Sequence, residues 1–177
     1  MADRALTGVL LVGGASTRFG SPKALARLDG ETLAERAWRL LGACDERIAV
    51  GKRSDELALP FEVLDDGSEV RAPLAGLVAG LRAARNDIVV VVPVDLPLLE
   101  PGTLHQLADA CRDAAVPPSG PLPGAYRRSA LSSLERALFE GRLALREAIS
   151  ELDVAVVRLD VAQLSNVNTP DDLRRLG

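Results

Sequence analysis

The stretch that most constrains this chain is Asp87 to Pro93, DIVVVVP, its most hydrophobic run. A strand apolar at every position has both faces covered, so it belongs at the centre of a sheet. Leu6 to Val12 has the same character and is too short and too rich in branched residues for a buried helix. Arg47 to Gly51, Phe61 to Leu64 and Val154 to Leu159 read as further strands. Between them lie helical stripes: Leu33, Ala37, Leu40 and Leu41; Leu74, Leu77, Val78 and Leu81 behind Pro73; Leu104, Leu107, Ala108 and Cys111; and Leu131, Leu134, Ala137 and Leu138. Strands alternating with helices predict a three-layer α/β fold, with a mostly parallel central sheet and helices on both faces, in a single domain over 1–177. Ala114 to Tyr126, interrupted by Pro117, Pro118, Pro121 and Pro123, reads as a loop with short edge segments over the site.

Composition excludes several classes of function. With 47% apolar and 26% charged residues the composition is that of an ordinary soluble chain, no apolar run approaches the ~20 residues that span a bilayer, and Met1 to Arg4 leads straight into the first strand, so no signal peptide is expected. A cytoplasmic protein with no membrane partner is expected. Cys44 and Cys111 form no CxxC, which argues against a zinc knuckle and fits a reducing compartment. A net charge of −4 with dispersed basic residues, and only three Phe, one Tyr and one Trp, argue against a nucleic-acid surface.

The first strand ends in LLVGGASTRFGSPKA, Leu10 to Ala24, where Gly13 and Gly14 are followed by Ser16, Thr17, Arg18, Gly20 and Lys23. Glycines let a backbone approach an anion, N–H groups can point at its oxygens, and two cations of different reach can neutralise it. The stretch is neither G-x-x-x-x-G-K-[ST] nor G-x-G-x-x-G, so a strand-ending turn with two solvated cations remains the plain alternative.

Asp95 follows the central strand between Pro93 and Pro97, rigidly placed where a hard carboxylate oxygen suits Mg²⁺. In open α/β sheets ligands sit beyond the carboxyl ends of the strands, so the glycine loop, Asp65-Asp66 and Asp95 are expected to converge. Asp66 reads either as an acceptor for a base or ribose or as part of a turn with Gly67. Asn168 reads either as a ligand for the metal or a substrate hydroxyl, or as part of a helix cap with Thr169, Pro170 and Asp172. The lone histidine, His105, falls off its helical stripe and reads as a surface residue. No Ser-His-Asp or Cys-His pairing can be drawn. A phosphate monoester as nucleophile would need no general base, its second pKa being ~6, and positioning with charge neutralisation would carry the catalysis.

LLVGGASTRFGSPKA resembles the L-x-G-G-x-S-x-R-M-G-x-x-K signature of nucleotidyltransferases. APLAGL, PVDLPLL and NVNTPDDL resemble, in order and spacing, the other blocks of the molybdenum cofactor guanylyltransferases, the MobA-like group. The resemblance runs from about Leu6 to Leu173. It implies a Rossmann-like nucleotidyltransferase fold and an Mg²⁺-dependent reaction that joins GTP to molybdopterin cofactor, giving the guanine dinucleotide form and pyrophosphate. It further implies that Leu11, Gly13 and Gly14 approach the nucleotide, Lys23 contacts its phosphates, Asp95 ligates Mg²⁺, and Arg18 stabilises the pyrophosphate leaving group. Asp66, seven residues before Pro73, matches the family aspartate near the nucleotide, with Asp65 as its competitor, and Asn168 closes the set. Lys52 stands where Asn is frequent, Val12 replaces Ala, Phe19 replaces Met, and Ala72 replaces Gly. GTP, molybdopterin, and proteins that deliver the cofactor and accept the product are the implied partners.

Two other functions compete. A cytidylyltransferase of the same cofactor, or a sugar-phosphate nucleotidyltransferase, shares the chemistry with another base or acceptor; the Asn166-x-Asn168 ending favours the guanylyl group over relatives with Asp-x-Asp. A non-catalytic nucleotide-binding protein would bind GTP without turnover, and loss of Arg18, Lys23 or Asp95 would be its signature.

Overall fold

A computed structural model describes residues 4–13 and 22–176. In chain order the elements are β1 (Leu6–Leu11), a hairpin of β2 (Arg27–Leu28) and β3 (Glu31–Thr32), α1 (Leu33–Leu40), β4 (Glu46–Gly51) and β5 (Val63–Asp65). Then come α2 (Pro73–Ala83), β6 (Ile88–Pro93), α3 (Pro101–Ala110), β7 (Ala114–Val116), β8 (Gly124–Arg127), α4 (Leu131–Phe139), α5 (Leu145–Ala148), β9 (Val154–Val156) and α6 (Pro170–Arg174). Among the described residues seven strands form one sheet in the order β5-β4-β1-β6-β8-β7-β9. β1, β4, β5 and β6 run parallel, and β8 is antiparallel to both of its neighbours.

The central strands feed both faces. Leu6 and Leu10 of β1 with Ile88, Val90 and Val92 of β6 pack under α1 and α3, through Leu33, Ala37, Leu104 and Leu107. The alternate residues Val9, Leu11, Val89 and Val91 pack under α2 and α4, through Leu74, Leu77, Leu81 and Leu134. That period of two on each strand, with helices above and below, is the predicted three-layer architecture. DIVVVVP lies at the middle of the seven strands, as its composition requires. α2 approaches β1 closely: a Cβ at Gly80 would come within 2.7 Å of Val9 Cγ1, and one at Gly76 within 2.9 Å of Leu11 Cδ2. Glycine at these positions lets the helix axis settle onto the sheet.

Two expectations need correction. Ala114 to Tyr126 is not a loop with edge segments, because β7 and β8 are interior strands, with β8 paired to β6 and β7 flanked by β8 and β9. Its four prolines all fall in the connection 117–123, so no ladder donor is lost within a strand. The strand expected over Phe61 to Leu64 runs Val63–Asp65 instead, while the Phe61 ring stacks on Trp38 with centroids 4.4 Å apart.

Candidate active site

Moving outward from β1, the chain winds first to β4 and β5 on one side and then crosses to β6 on the other. The switch in direction lies between β1 and β6, where a crevice opens beyond the strand ends. A cleft of about 440 Å³ occupies this edge, within the range of small-molecule sites. Leu11, Val12 and Gly13 line it from β1, Gly51 and Lys52 from β4, Asp66 from β5, and Pro93, Val94 and Asp95 from β6. Arg71, Ala72, Pro73 and Gly76 close the α2 side, with Leu122 and Asn166 at the other end.

Near the switch point Lys23 bonds Asp95 and Asn168 among the described residues. Its Nζ donates to Asp95 Oδ2 at 3.4 Å and to Asn168 Oδ1 at 3.1 Å. Lys23 reaches the site from a 3-10 turn, Lys23–Leu25, that starts directly after Pro22. Asp95 is flanked by buried Val94 and Leu96, which fix its backbone. Asn168 lies 73 residues further on (168 − 95) and is brought in by the backbone, since buried Val167 donates its N–H to the Asp95 carbonyl at 2.9 Å. The expected helix cap is present: Thr169 and Asp172 form a capping box at the start of α6, and Asp172 Oδ2 also accepts from the Asn168 N–H at 2.9 Å. That bond, first, and the Thr169 hydroxyl hold the Asp172 carboxyl below the usual carboxylate range. Cap and site are therefore one construction, with the backbone of Asn168 in the cap and its side chain on Lys23.

At the other end Asp66 and Lys52 form an ion pair of 2.7 Å, with side chains only 6% and 11% exposed. Lys52 Nζ also donates to the Ser68 carbonyl, and Asp66 Oδ1 accepts from the Ser68 N–H at 2.9 Å. Asp65 points elsewhere: its two oxygens accept from the Gly67 and Arg53 N–H groups, which lower its pKa. Of the two adjacent aspartates, Asp66 lines the cleft and Asp65 makes the turn. Arg71 pairs with Asp55 at 2.7 Å on the rim.

Leu11, Gly13, Lys23, Asp66 and Asp95 thus share one cleft, and Asn168 meets it through Lys23. Gly14 and Arg18 lie outside the described residues, as do Ser16, Thr17 and Gly20. Among the described residues the nearest atom to a Cβ at Gly13 would be Gly51 Cα at 3.6 Å, an ordinary contact. His105 is exposed on α3, as expected. The proline-rich connection reaches the cleft through Leu122, whereas Arg127 pairs with Asp87 at the opposite end of β6. Arg71 and Leu122 were not singled out from sequence; Arg71, directly before the APLAG block, had a positional signal, and Leu122 had none.

Comparison with known proteins agrees with this fold. The model of the MobA-like NTP transferase domain matches residues 8–156. A Chloroflexus aggregans protein named "Probable molybdenum cofactor guanylyltransferase" is 33% identical over 96% of this chain and 92% of its own length. The molybdenum cofactor guanylyltransferase of Desulfosudis oleivorans is 29% identical over 97% of this chain and 94% of its own. Among solved structures, molybdopterin-guanine dinucleotide biosynthesis protein A from Archaeoglobus fulgidus superposes with a TM-score of 0.83 at 27% identity, covering 96% of each chain. On this fold, this cleft and these matches, the chain belongs to the MobA-like NTP transferase family.

Proposed function

We propose that this chain transfers GMP from GTP to molybdopterin cofactor, giving the guanine dinucleotide form and pyrophosphate, in one domain spanning 1–177. The observation that carries the reading is the meeting of Lys23, Asp95 and Asn168 at the switch point, where β1 and β6 end. A cation held between a carboxylate and an amide is preorganised to receive phosphate oxygens without reorganising first. The names of the relatives support guanylyl transfer as the reaction.

In this reading an oxygen of the terminal phosphate of molybdopterin attacks the α-phosphorus of GTP. The new P–O bond forms as the bond to the β-phosphate oxygen breaks, and pyrophosphate leaves with that electron pair. No proton need be removed from a nucleophile already ionised near pH 7, its second pKa being ~6. Leu11, Gly13 and Gly14 carry the nucleotide, Asp66 accepts from its base or ribose, Lys23 and Arg18 screen the triphosphate and the leaving pyrophosphate, and Asn168 steers Lys23.

Asp95 offers one hard oxygen at the strand end, and Mg²⁺ ordinarily takes one or two protein carboxylates with substrate phosphates completing its shell, so the donor set fits. Asp95 would hold the ion, which when bound supplies charge neutralisation across the triphosphate. The reading assigns the enzyme to the cytoplasm, with partners that deliver molybdopterin and accept the product.

The test is a panel of GTP, CTP, ATP and UTP with Mg²⁺ and molybdopterin, read as pyrophosphate. Release with GTP alone is the expected result. Release with CTP instead assigns the cytidylyl reaction, and GTP binding without turnover assigns a carrier.

A further inference from the structure

The rim of the cleft carries a cation that the proposed reaction does not use. Among the described residues three cations line the cleft, Lys23, Lys52 and Arg71. Lys23 pairs with Asp95 and Lys52 with Asp66, and in both cases the carboxylate lines the cleft as well. Arg71 differs, because it lines the cleft and its partner Asp55 does not. A single guanidinium nitrogen, Nη2, makes its hydrogen bonds, to Asp55 Oδ1 at 2.7 Å and to the Ser54 hydroxyl at 3.3 Å. Nε and Nη1 make none among the described residues, so most of the fork is open to a ligand. Asp55 foremost, with Asp66 adding from further off, raises the Arg71 pKa.

The pair stands where two elements open onto the cleft. A Cβ at Gly13 would lie 3.8 Å from Asp55 Oδ2, so the carboxylate sits beside the residue at which β1 gives way to the glycine loop. Arg71 lies two residues before Pro73, at the positive end of α2. Ala72 at the N-cap has no side-chain acceptor, Pro73 has no N–H, and the first turn holds no acidic residue. A cation in front of such a helix start has the wrong sign for the helix dipole and the right sign for an incoming anion. A carboxylate beside Gly13 has the wrong sign for that anion. Each of these costs is relieved by the other group, as long as the two stay paired. The Arg71 side chain is 51% exposed, and an ion pair this open to water contributes little and is readily exchanged for another.

We infer, resting on the proposed function for the ligand being a nucleoside triphosphate, that Arg71 is a further phosphate-binding residue and that Asp55 restrains it at the rim until phosphate oxygens take the guanidinium over. Arg71 adds a cation from the α2 side, opposite the one that Lys23 brings from the turn after Pro22. Its planar fork matches a phosphate as well as it matches a carboxylate. The ligand gains only the difference between the two pairings, since Asp55 must be displaced first. Asp55 therefore sets how tightly phosphate is held, and recaptures Arg71 when a charged product leaves.

The experiment measures dissociation of GTP, GMP and guanosine by calorimetry, without acceptor, for the intact chain and for Arg71→Gln, Arg71→Lys, Asp55→Asn and Arg71→Gln with Asp55→Asn. Arg71→Gln is expected to weaken GTP about tenfold and GMP less, with guanosine kept within about twofold. Arg71→Lys, which keeps the charge without the fork, retains part of the affinity. Asp55→Asn tightens GTP about threefold, the opposite sign. The double variant binds GTP more weakly than the intact chain, because the phosphate contact is missing whatever stands at 55. Weakening of GTP by both single changes makes the pair a strut of the rim, and a double variant with the intact chain's affinity makes it a matter of charge balance alone; either result overturns the assignment, as does an equal loss for guanosine. All of these leave guanylyl transfer intact, since no turnover is read. Absence of pyrophosphate from the intact chain with GTP and molybdopterin overturns that function while GTP binding still tests Arg71, and absence of GTP binding overturns both.

Discussion

Lys52 Nζ and Asp66 Oδ1 lie 2.7 Å apart at the charged end of the cleft, with both side chains almost withdrawn from water. Lys52 and the Ser68 N–H both bond Oδ1, and Oδ2 has no hydrogen bond among the described residues. The lysine thus fixes the carboxylate and leaves one oxygen for a ligand. Lys52→Met strands a nearly buried carboxylate and is expected to cost about 2–4 kcal/mol of stability in urea unfolding. Lys52→Met with Asp66→Asn recovers most of that loss, because the amide oxygen still accepts from Ser68. A Lys52→Met protein as stable as the parent would show that the pair contributes little.

Lys23 and Asp95 make the second prediction. In the proposed reaction both act on charge that builds as the α-phosphorus is attacked. Lys23→Ala is expected to lower kcat for pyrophosphate release by about 100-fold or more, with a smaller change in GTP binding. Asp95→Asn is expected to lose the dependence of the rate on added Mg²⁺, and chelation with EDTA should abolish turnover in the parent. Unaltered pyrophosphate release in either variant would remove the substituted residue from the reaction.

Much of this arrangement was legible in the residues, and what was missed has a physical cause. DIVVVVP and LTGVLLV could be placed because a strand buried on both faces leaves no other use for such a run. The convergence of Gly13, Asp66 and Asp95 followed from strand ends sharing one edge. β7 and β8 were hidden because the prolines of 117–123 dominate the composition of a segment whose strands, Ala114–Val116 and Gly124–Arg127, are only three and four residues long. The choice between Asp65 and Asp66 depended on which side chain turns back onto the Gly67 and Arg53 amides, a matter of local geometry.

The cap of α6 couples stability to the site. Thr169 and Asp172 satisfy the first N–H groups of the helix, and Asp172 also holds the Asn168 backbone. Thr169→Ala is expected to cost about 1 kcal/mol, with a loss of kcat because Asn168 is no longer fixed against Lys23. Asn168→Ala should lower kcat with little change in thermal midpoint, which separates the side chain's role from the cap's. The Asp172 carboxyl titrates below its ordinary value of 3.8 because the Asn168 N–H, first, and the Thr169 hydroxyl bond its charged form. Its contribution is therefore complete above that value and is lost as the pH falls through the lower folded one. Activity limited by the cap should hold through mildly acid pH and fail only with acid unfolding.

At the alkaline end the sign reverses. Burial pushes the Cys44 and Cys111 thiols from 9.0 up to about 11, and burial also raises the Tyr126 phenol. A group whose pKa is higher in the folded chain than in the unfolded one favours folding while both states are protonated. That contribution is lost as the pH climbs past the unfolded value and through the folded one. The thermal midpoint should therefore hold to about pH 9 and then decline, and Cys44→Ala with Cys111→Ala should flatten the decline. The same burial keeps the thiolate, the reactive form, scarce near neutrality. A disulfide reagent at about pH 8 should label both cysteines slowly in the folded chain and rapidly in guanidinium. Rapid labelling of both thiols in the folded protein would contradict the burial of Cys111 in the core and the packing of half-buried Cys44 against it.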